Sequence, residues 1–474
     1  MNIEQRKKDR NVLDFRGQKQ QKYHIGILVL LAFAVFFGIG HVGYILEPDS
    51  YNYIECNFGR EPLYPIFLLI FRTIFGKSHY LQIVWVVQGL IAIVSVVYTT
   101  WWIAGYFRLK VGMYYVVFFF VLLPYWFVTI WYEPMSLWTN RIITEGLSFS
   151  VYHLFFVFVL KTVYRKRVRD YAVVCALSWC LATMRSQMLI CFLICVVLGC
   201  VMVWHYRKCA GFVRALIGCA ASLLVMGGMY VGIKKLYQYH ITDNPGNAAT
   251  LQLALLANLL YSSDREDVTC YGEKAYQIFY TELFDRIEER RLNYHYTEGV
   301  LENGDHMAYA HDIIKYEIIN EVYYEYLSGG YIQLEKQLSL EEFIKGLEAP
   351  LLQRNGYRLV VNSMCEWPKG YVRTIFTATE SLFPFNMIYG AVMYLGAVVL
   401  LICSCVRKKW KQAVPMLVTL PMIVMTIAGV ALTIFVSMRY LVYNMGIFYI
   451  SGLILLLQIE GIQKRLTIDI SQKK

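Results

Sequence analysis

The sequence predicts an all-α polytopic membrane protein of about ten transmembrane helices, carrying a mostly helical external insert between the seventh and eighth. Three observations predict it. Hydrophobic residues make up 57% of the 474-residue chain, and its mean hydropathy is +0.44. Charged residues make up 17%, against about 25% in soluble globular proteins. Uncharged apolar runs of about 20 residues, the length a helix needs to cross a bilayer, recur along the chain. They are continuous rather than alternating over about 10 residues, which excludes a membrane β-barrel.

Taken in order, "MNIEQRKKDRNVLDFRGQKQQKYH" (1–24) is a basic, polar tail. No small-residue cleavage site follows it, so the first apolar run reads as a retained helix rather than a signal peptide. Spans are expected at 25–46, 80–104, 112–132, 146–161, 171–184, 187–206, 212–236, 384–406, 412–437 and 440–460. The fifth is short and broken at Arg185. Residues 25–236 form an N-terminal transmembrane catalytic module with an external loop at 47–79. Residues 237–383 form the insert, 384–460 the C-terminal transmembrane helices, and 461–474 a second tail. Within the insert, 264–327 is rich in charge and tyrosine at helical spacing, too long and too patterned for an unstructured loop. No internal repeat of fixed period is present, which argues against the duplicated transporter folds.

The basic residues orient the chain. They gather in six segments: Arg6 to Arg16, Arg108 and Lys110, Lys161 to Arg169, Arg207 to Arg214, Arg407 to Lys411, and Lys464 to Lys474. All six fall on one side of the membrane if there are ten spans, and the positive-inside rule makes that side the cytoplasm. Both termini are then cytoplasmic in a multi-pass protein of the cell membrane, of bacterial character. The formal net charge of +11 belongs to these topology signals facing an anionic leaflet, so no nucleic-acid partner is expected. Twelve cysteines, most of them within spans, read as small apolar packing residues and not as a disulfide framework or a metal site.

Polar residues interrupt the apolar sequence on the opposite, outer side. Glu47, Asp49, Arg60 and Glu61 follow the first span in "EPDSYNYIECNFGREPLYPIFLL"; Glu133, Arg141 and Glu145 lie in "WYEPMSLWTNRIITEGL"; Arg185 and Arg439 lie in "LATMRSQMLI" and "FVSMRYLVYNMG". Charges at span ends mark interface anchors or functional sites. Arg185 and Arg439 are each equally well read as snorkelling to lipid headgroups. Glu61 and Glu133 read as solvated loop acids. Asp49 is also a good helix N-cap before "SYNYIE". His306 and His311, with Asp305 and Asp312, read as solvated side chains on an exposed helix, and no metal ligand is assigned. Taken together, a carboxylate at the membrane boundary suits a general base toward an acceptor hydroxyl, and an arginine at the same depth suits a phosphate. That pairing fits group transfer from a lipid-linked phosphate on the outer face. The short cytoplasmic loops leave no room for a nucleotide-binding fold, and neither a P-loop nor a GxGxxG is present.

These residues resemble the GT-C superfamily of polytopic, polyprenyl-phosphate-sugar-dependent glycosyltransferases, and within it the protein-mannosyltransferase and aminoarabinose-transferase-like branch. The resemblance rests on the acid after the first span in "EPDSYNY", on "REPLYPIFLL", on "RIITEGLSF" and on "MRYLVYNMGIFYISGL". It covers roughly 25–210 and 430–460, and leaves 237–383 without a counterpart. It implies Asp49 as catalytic base and Glu145 as a second acid of the site. It implies Arg60, Arg185 and Arg439 as contacts to phosphate or sugar, with Glu47, Tyr64, Arg141 and Tyr440 completing the binding set. "PLYPIFLL" would open a juxtamembrane helix. The implied partners are a polyprenyl-phosphate-linked sugar donor, membrane lipids, and a surface glycan, lipid or protein acceptor. Residue 50 is Ser rather than a second acid, so a divalent cofactor such as Mg or Mn stays open.

Two other functions compete. A polysaccharide polymerase or ligase using diphosphate-linked oligosaccharides has similar spans and outer arginines, but does not need a base directly after the first span. A lipid-linked-substrate transporter or flippase would carry charges or broken helices at the midplane, where these spans have almost none.

Overall fold

The computed structural model describes residues 19–56, 60–126, 136–209, 211–242, 250–296, 306–328, 338–376 and 383–467. These residues are almost entirely helical. Among them there is no strand, only two isolated bridges, Ile45 with Arg141 and Leu109 with Thr467.

The N-terminal module opens with α1 (Lys19–Phe33), which widens into a π-helical stretch at Ala34–Ile39, and the short α2 (Pro48–Ile54). Then follow α3 (Leu63–Tyr106), α4 (Val111–Trp126), α5 (Glu145–Arg165), α6 (Val168–Met184), α7 (Ile190–Tyr206) and α8 (Phe212–His240). The insert comprises α9 (Thr250–Tyr261), α10 (Lys274–Glu289), α11 (His306–Ile313), α12 (Ile319–Leu327), α13 (Leu340–Cys365) and α14 (Trp367–Ile375). The chain ends with α15 (Phe383–Val406), α16 (Trp410–Thr433), α17 (Met438–Leu441), α18 (Met445–Leu456) and α19 (Glu460–Leu466).

Seven of the described helices are long and apolar enough to cross a membrane: α3, α5, the stretch Ser186–Tyr206 through α7, α8, Phe385–Val406 of α15, α16, and Met438–Leu456 through α18. Tyr23–Ile39 and Val111–Trp126 are apolar but shorter. Together with the 17-residue α6 they occupy the three remaining expected span positions. A third short apolar helix, Gln252–Tyr261, belongs to the insert. The interruption at Arg185 is real: its backbone is extended (φ −148°, ψ 126°), and a single 3₁₀ turn, Ser186–Leu189, leads into α7.

α3 is 44 residues long and breaks once, at Gly76 (φ +74°, ψ 165°). Glycine reaches that region without a Cβ clash, so the aromatic-rich helical segment Leu63–Phe75 is kinked relative to the span that follows it.

Among the described residues there are three apolar cores. The first joins the N-terminal module with residues 442–457 of the C-terminal part, with Phe36, Trp102, Phe149 and Tyr171 fully or almost fully buried. The second belongs to the insert, with Phe279, Leu283, Ile314 and Phe343 at its centre. The third is formed by α14–α18 around Ile423, Ile427 and Phe448. α18 also packs against α4 of the first module, and α5 packs between α3 and α6. That arrangement brings the segment before α18 to the start of α5.

Candidate functional site

The site begins with the loop between α1 and α2. Gly43 takes a left-handed conformation (φ +84°), and the strand-like stretch after it pairs with residues 140–142. Ile45 donates its N–H to Asn140 O (2.8 Å), and Ile142 donates back to Ile45 O (3.0 Å). The Asn140 side chain closes the loop: its Nδ2 donates to Gly40 O (2.7 Å) and Gly43 O (2.6 Å), and its Oδ1 accepts from Leu137 N (3.0 Å). A Cβ on Gly40 would stand 2.5 Å from Phe36 O and 2.9 Å from Asn140 Oδ1, so only glycine allows this approach.

From below, Gln88 of α3 donates to Thr139 O (2.9 Å) and Arg141 O (3.3 Å) and accepts from the Tyr64 hydroxyl (2.7 Å). These bonds hold the chain entering α2 beside the chain entering α5. They set Asp49 and Glu145, 96 positions apart, within reach of the same partners.

Asp49 lies in the first turn of α2. Glu47 occupies the N-cap position, with Pro48 at the first helical position, and Ser50 Oγ accepts from Glu47 N at 2.8 Å. Asp49 therefore has no capping role and points its carboxylate at two guanidinium groups. Arg60 Nη2 donates to Oδ1 at 2.7 Å, and Arg439 Nη1 to Oδ2 at 2.8 Å. Burial alone would raise the Asp49 pKa, but Arg60 and Arg439 outweigh it and hold the carboxyl below its ordinary range.

Glu145 opens α5 and is fully buried. A carboxylate there is favoured by the helix dipole. It is clasped by the Arg439 guanidinium, whose Nη2 stands 3.4 Å from Oε2, and by Arg185 Nη1. Thr144 Oγ1 donates to Glu145 Oε2 at 3.0 Å. Arg185 also donates to the Tyr443 hydroxyl (3.3 Å) and lies over the rings of Tyr440 (5.2 Å) and Tyr443 (5.7 Å). Arg185 and Arg439 are thus paired inside the protein rather than snorkelling.

The candidates form a continuous chain of ion pairs, Arg60–Asp49–Arg439–Glu145–Arg185, with Tyr440 stacked on its far end. Glu47 and Arg141 form a separate pair beside it, and Arg141 lies over Trp138 at 5.2 Å. Tyr64 stands one layer behind: its ring meets Tyr53 edge-on at 5.3 Å, and Tyr53 carries Arg60 over its face at 5.0 Å. The Tyr64 hydroxyl is engaged by Gln88 and not by the charged chain.

Glu61 and His311 are not solvated. The Glu61 side chain is 11% exposed and pairs with Lys234 of α8 at 3.0 Å. Burial raises its pKa, and Lys234 offsets this only in part. His311 is fully buried and bonded to Asn258 at 2.8 Å, because its face of α11 turns toward α9 and Phe435. Glu133 and Asp305 lie outside the described residues.

Sequence reasoning missed Asn140, Gln88, Tyr443 and Ser148, whose hydroxyl meets that of Tyr443 at 2.5 Å. Gln88 carried a signal, since it is an amide, like Gln82, inside an expected span; the other three did not stand out from their surroundings. Among the described residues, no group of three His, Cys, Asp or Glu side chains gathers as a metal site.

No family model matches the chain, and no curated protein matches it. Among solved structures it is similar to the crystal structure of ArnT from Cupriavidus metallidurans bound to undecaprenyl phosphate. The identity is 11% and the TM-score 0.30, over 91% of this chain and 76% of that one.

The ion-pair chain has a simple electrostatic property. Among the described residues, three arginines meet two carboxylates beside the Glu47–Arg141 pair, so these described groups hold one cation in excess. Such a cluster suits an anionic group that arrives from outside and competes for the arginine forks.

Proposed function

We propose that this protein is an integral membrane glycosyltransferase of GT-C type. In this reading it moves a sugar from a polyprenyl-phosphate donor to a glycan, glycolipid or protein acceptor at the outer face of a bacterial cell membrane, with both termini in the cytoplasm. The observation that carries the reading is the Arg439 bridge between Asp49 and Glu145, with the one-cation excess among the described residues. A polyprenyl-phosphate sugar is a phosphodiester with a single negative charge and neutralises that excess. A diphosphate-linked donor brings two charges and does not.

The chemistry follows from the same groups. The donor phosphate takes a share of Arg60 and Arg439, which loosens their hold on Asp49. Asp49 Oδ accepts the proton of the acceptor hydroxyl as that oxygen bonds to the anomeric carbon. The bond from the anomeric carbon to the phosphate oxygen breaks, and both its electrons leave with the polyprenyl phosphate, which becomes a dianion. As Asp49 turns neutral, Arg60 and Arg439 are left facing the new charge, so stabilisation grows where charge develops. Glu145, buried under Arg185 and Arg439, keeps the arginines aimed and stays ionised.

The test is sugar release by the purified protein from a panel of radiolabelled polyprenyl-phosphate sugars and their diphosphate-linked counterparts, with membrane extract supplying acceptor. Turnover of one monophosphate donor, lost in Asp49→Asn, is the expected result. Turnover of diphosphate-linked donors alone would establish a polymerase or ligase in its place.

A further inference from the structure

We infer that Asn258 and Arg373 of the insert are positioning residues for Arg439, holding the backbone from which it reaches Asp49 and Glu145; the importance of that reach rests on the proposed function above.

α16 ends at Thr433, and α17, which carries Arg439, begins at Met438. The end of α16 and the irregular link 434–437 leave backbone carbonyls that need partners from elsewhere. The insert supplies them. Ser363 Oγ of α13 donates to Ala431 O at 3.1 Å. Asn258 Nδ2 of α9 donates to Leu432 O at 3.1 Å and to Ile434 O at 2.9 Å. Arg373 Nη1 of α14 donates to Val436 O at 2.7 Å. Four carbonyls within six residues are thus held by three helices of the insert.

The clasp is itself braced. Asn258 is fully buried, and both of its contacts to the link use Nδ2, so its Oδ1 faces His311 Nδ1 at 2.8 Å. His311 is buried and its imidazole is pushed down to about 3, chiefly by burial and then by Lys315. It is neutral at ordinary pH and donates from Nδ1–H, which fixes the Asn258 amide with its donor toward the carbonyls. The His311 ring also meets Phe435 of the link edge-on at 5.6 Å. On the other flank, α14 approaches so closely that a Cβ on Gly370 would stand 2.7 Å from Ile427 and 3.4 Å from Val436.

Arg439 follows Val436 by three residues, and its side chain reaches Asp49 and Glu145 of the first module. The short α17 is therefore held between the insert and the first module. The insert does not need to touch the donor to govern the site, because it sets where the bridging arginine starts.

Hydrogen–deuterium exchange on the full-length protein in detergent, without ligand, tests this. Asn258→Leu and Arg373→Met should each speed amide exchange across 438–444 by about tenfold, the scale of one lost hydrogen bond in a local opening equilibrium. The α10 and α13 amides should keep their protection. Arg373→Lys, which retains a donor to Val436 O, should restore slow exchange. Unchanged exchange at 438–444 in both Asn258→Leu and Arg373→Met would overturn the inference. Failure of the wild-type protein to bind a polyprenyl phosphate, measured separately, would overturn the donor class and leave the exchange result standing.

Discussion

Arg439 and Asp49 are 390 positions apart in the sequence and meet at 2.8 Å. The same guanidinium holds Glu145. One side chain from the last third of the protein thus joins the two acids that the first third provides.

Arg439→Lys tests the bridge. A lysine ammonium is a point charge without a planar fork and cannot serve both carboxylates in this geometry. Sugar transfer should fall by about a hundredfold or more, the scale of losing one preorganised electrostatic donor, while the thermal midpoint in detergent moves little. Transfer within a few-fold of wild type would remove Arg439 from the mechanism.

Glu145→Ala leaves the Arg185 and Arg439 guanidinium groups without their buried partner. Removing one member of a buried ion pair costs about 3–5 kcal/mol, so thermal unfolding in detergent should show a large loss of stability as well as of activity. Glu145→Gln fills the same volume and keeps one acceptor for the arginines. It should be the milder change in stability and nearly as severe in turnover. Equal unfolding midpoints for wild type and Glu145→Ala would mean that the arginines find water or other partners.

The pH dependence of turnover separates the free and loaded states. In the free protein Arg60 and Arg439 hold the Asp49 carboxyl below the ordinary aspartate range. The stability from these pairs is present above the ordinary aspartate pKa and is lost as pH falls through the lowered value, so it is constant across neutral pH. Once the donor phosphate shares the arginines, that depression weakens. Because kcat/KM reports the free enzyme and kcat the loaded one, the acid limb of kcat should lie at higher pH than that of kcat/KM. Coincident limbs, or an acid limb unchanged in Asp49→Asn, would count against Asp49 as the base.

Gln88→Leu keeps the volume of the side chain but leaves Thr139 O and the Tyr64 hydroxyl without their buried partner. A buried polar group left unpaired costs about 1–3 kcal/mol. Stability should drop by that order, and turnover should fall with it as the 139–141 turn drifts from the α2 loop. A variant that retains full stability and full activity would show that the Ile45–Arg141 bridge and the Asn140 side chain hold the two segments together without Gln88.

Much of this arrangement was legible in the sequence. Apolar runs and their breaks located the helices, including the interruption at Arg185, because membrane-crossing length and composition are local properties. The charged residues at the span ends stood out for the same reason: a charge beside an apolar run is costly and rare. Asp49, Glu145, Arg185 and Arg439 were each visible one at a time.

Their partners were not. That Arg439 joins Asp49 to Glu145, that Arg185 is paired rather than snorkelling, and that Glu61 meets Lys234 are contacts between distant segments. So is the role of His311, which reads as a solvated side chain on a polar helix and is instead buried beside Asn258 and Phe435. The chemistry of each residue, and the spans between them, were determined by the sequence itself. Which of the described charges neutralise one another was decided only by the tertiary structure, because an ion pair is set by distance in space and not by spacing along the chain.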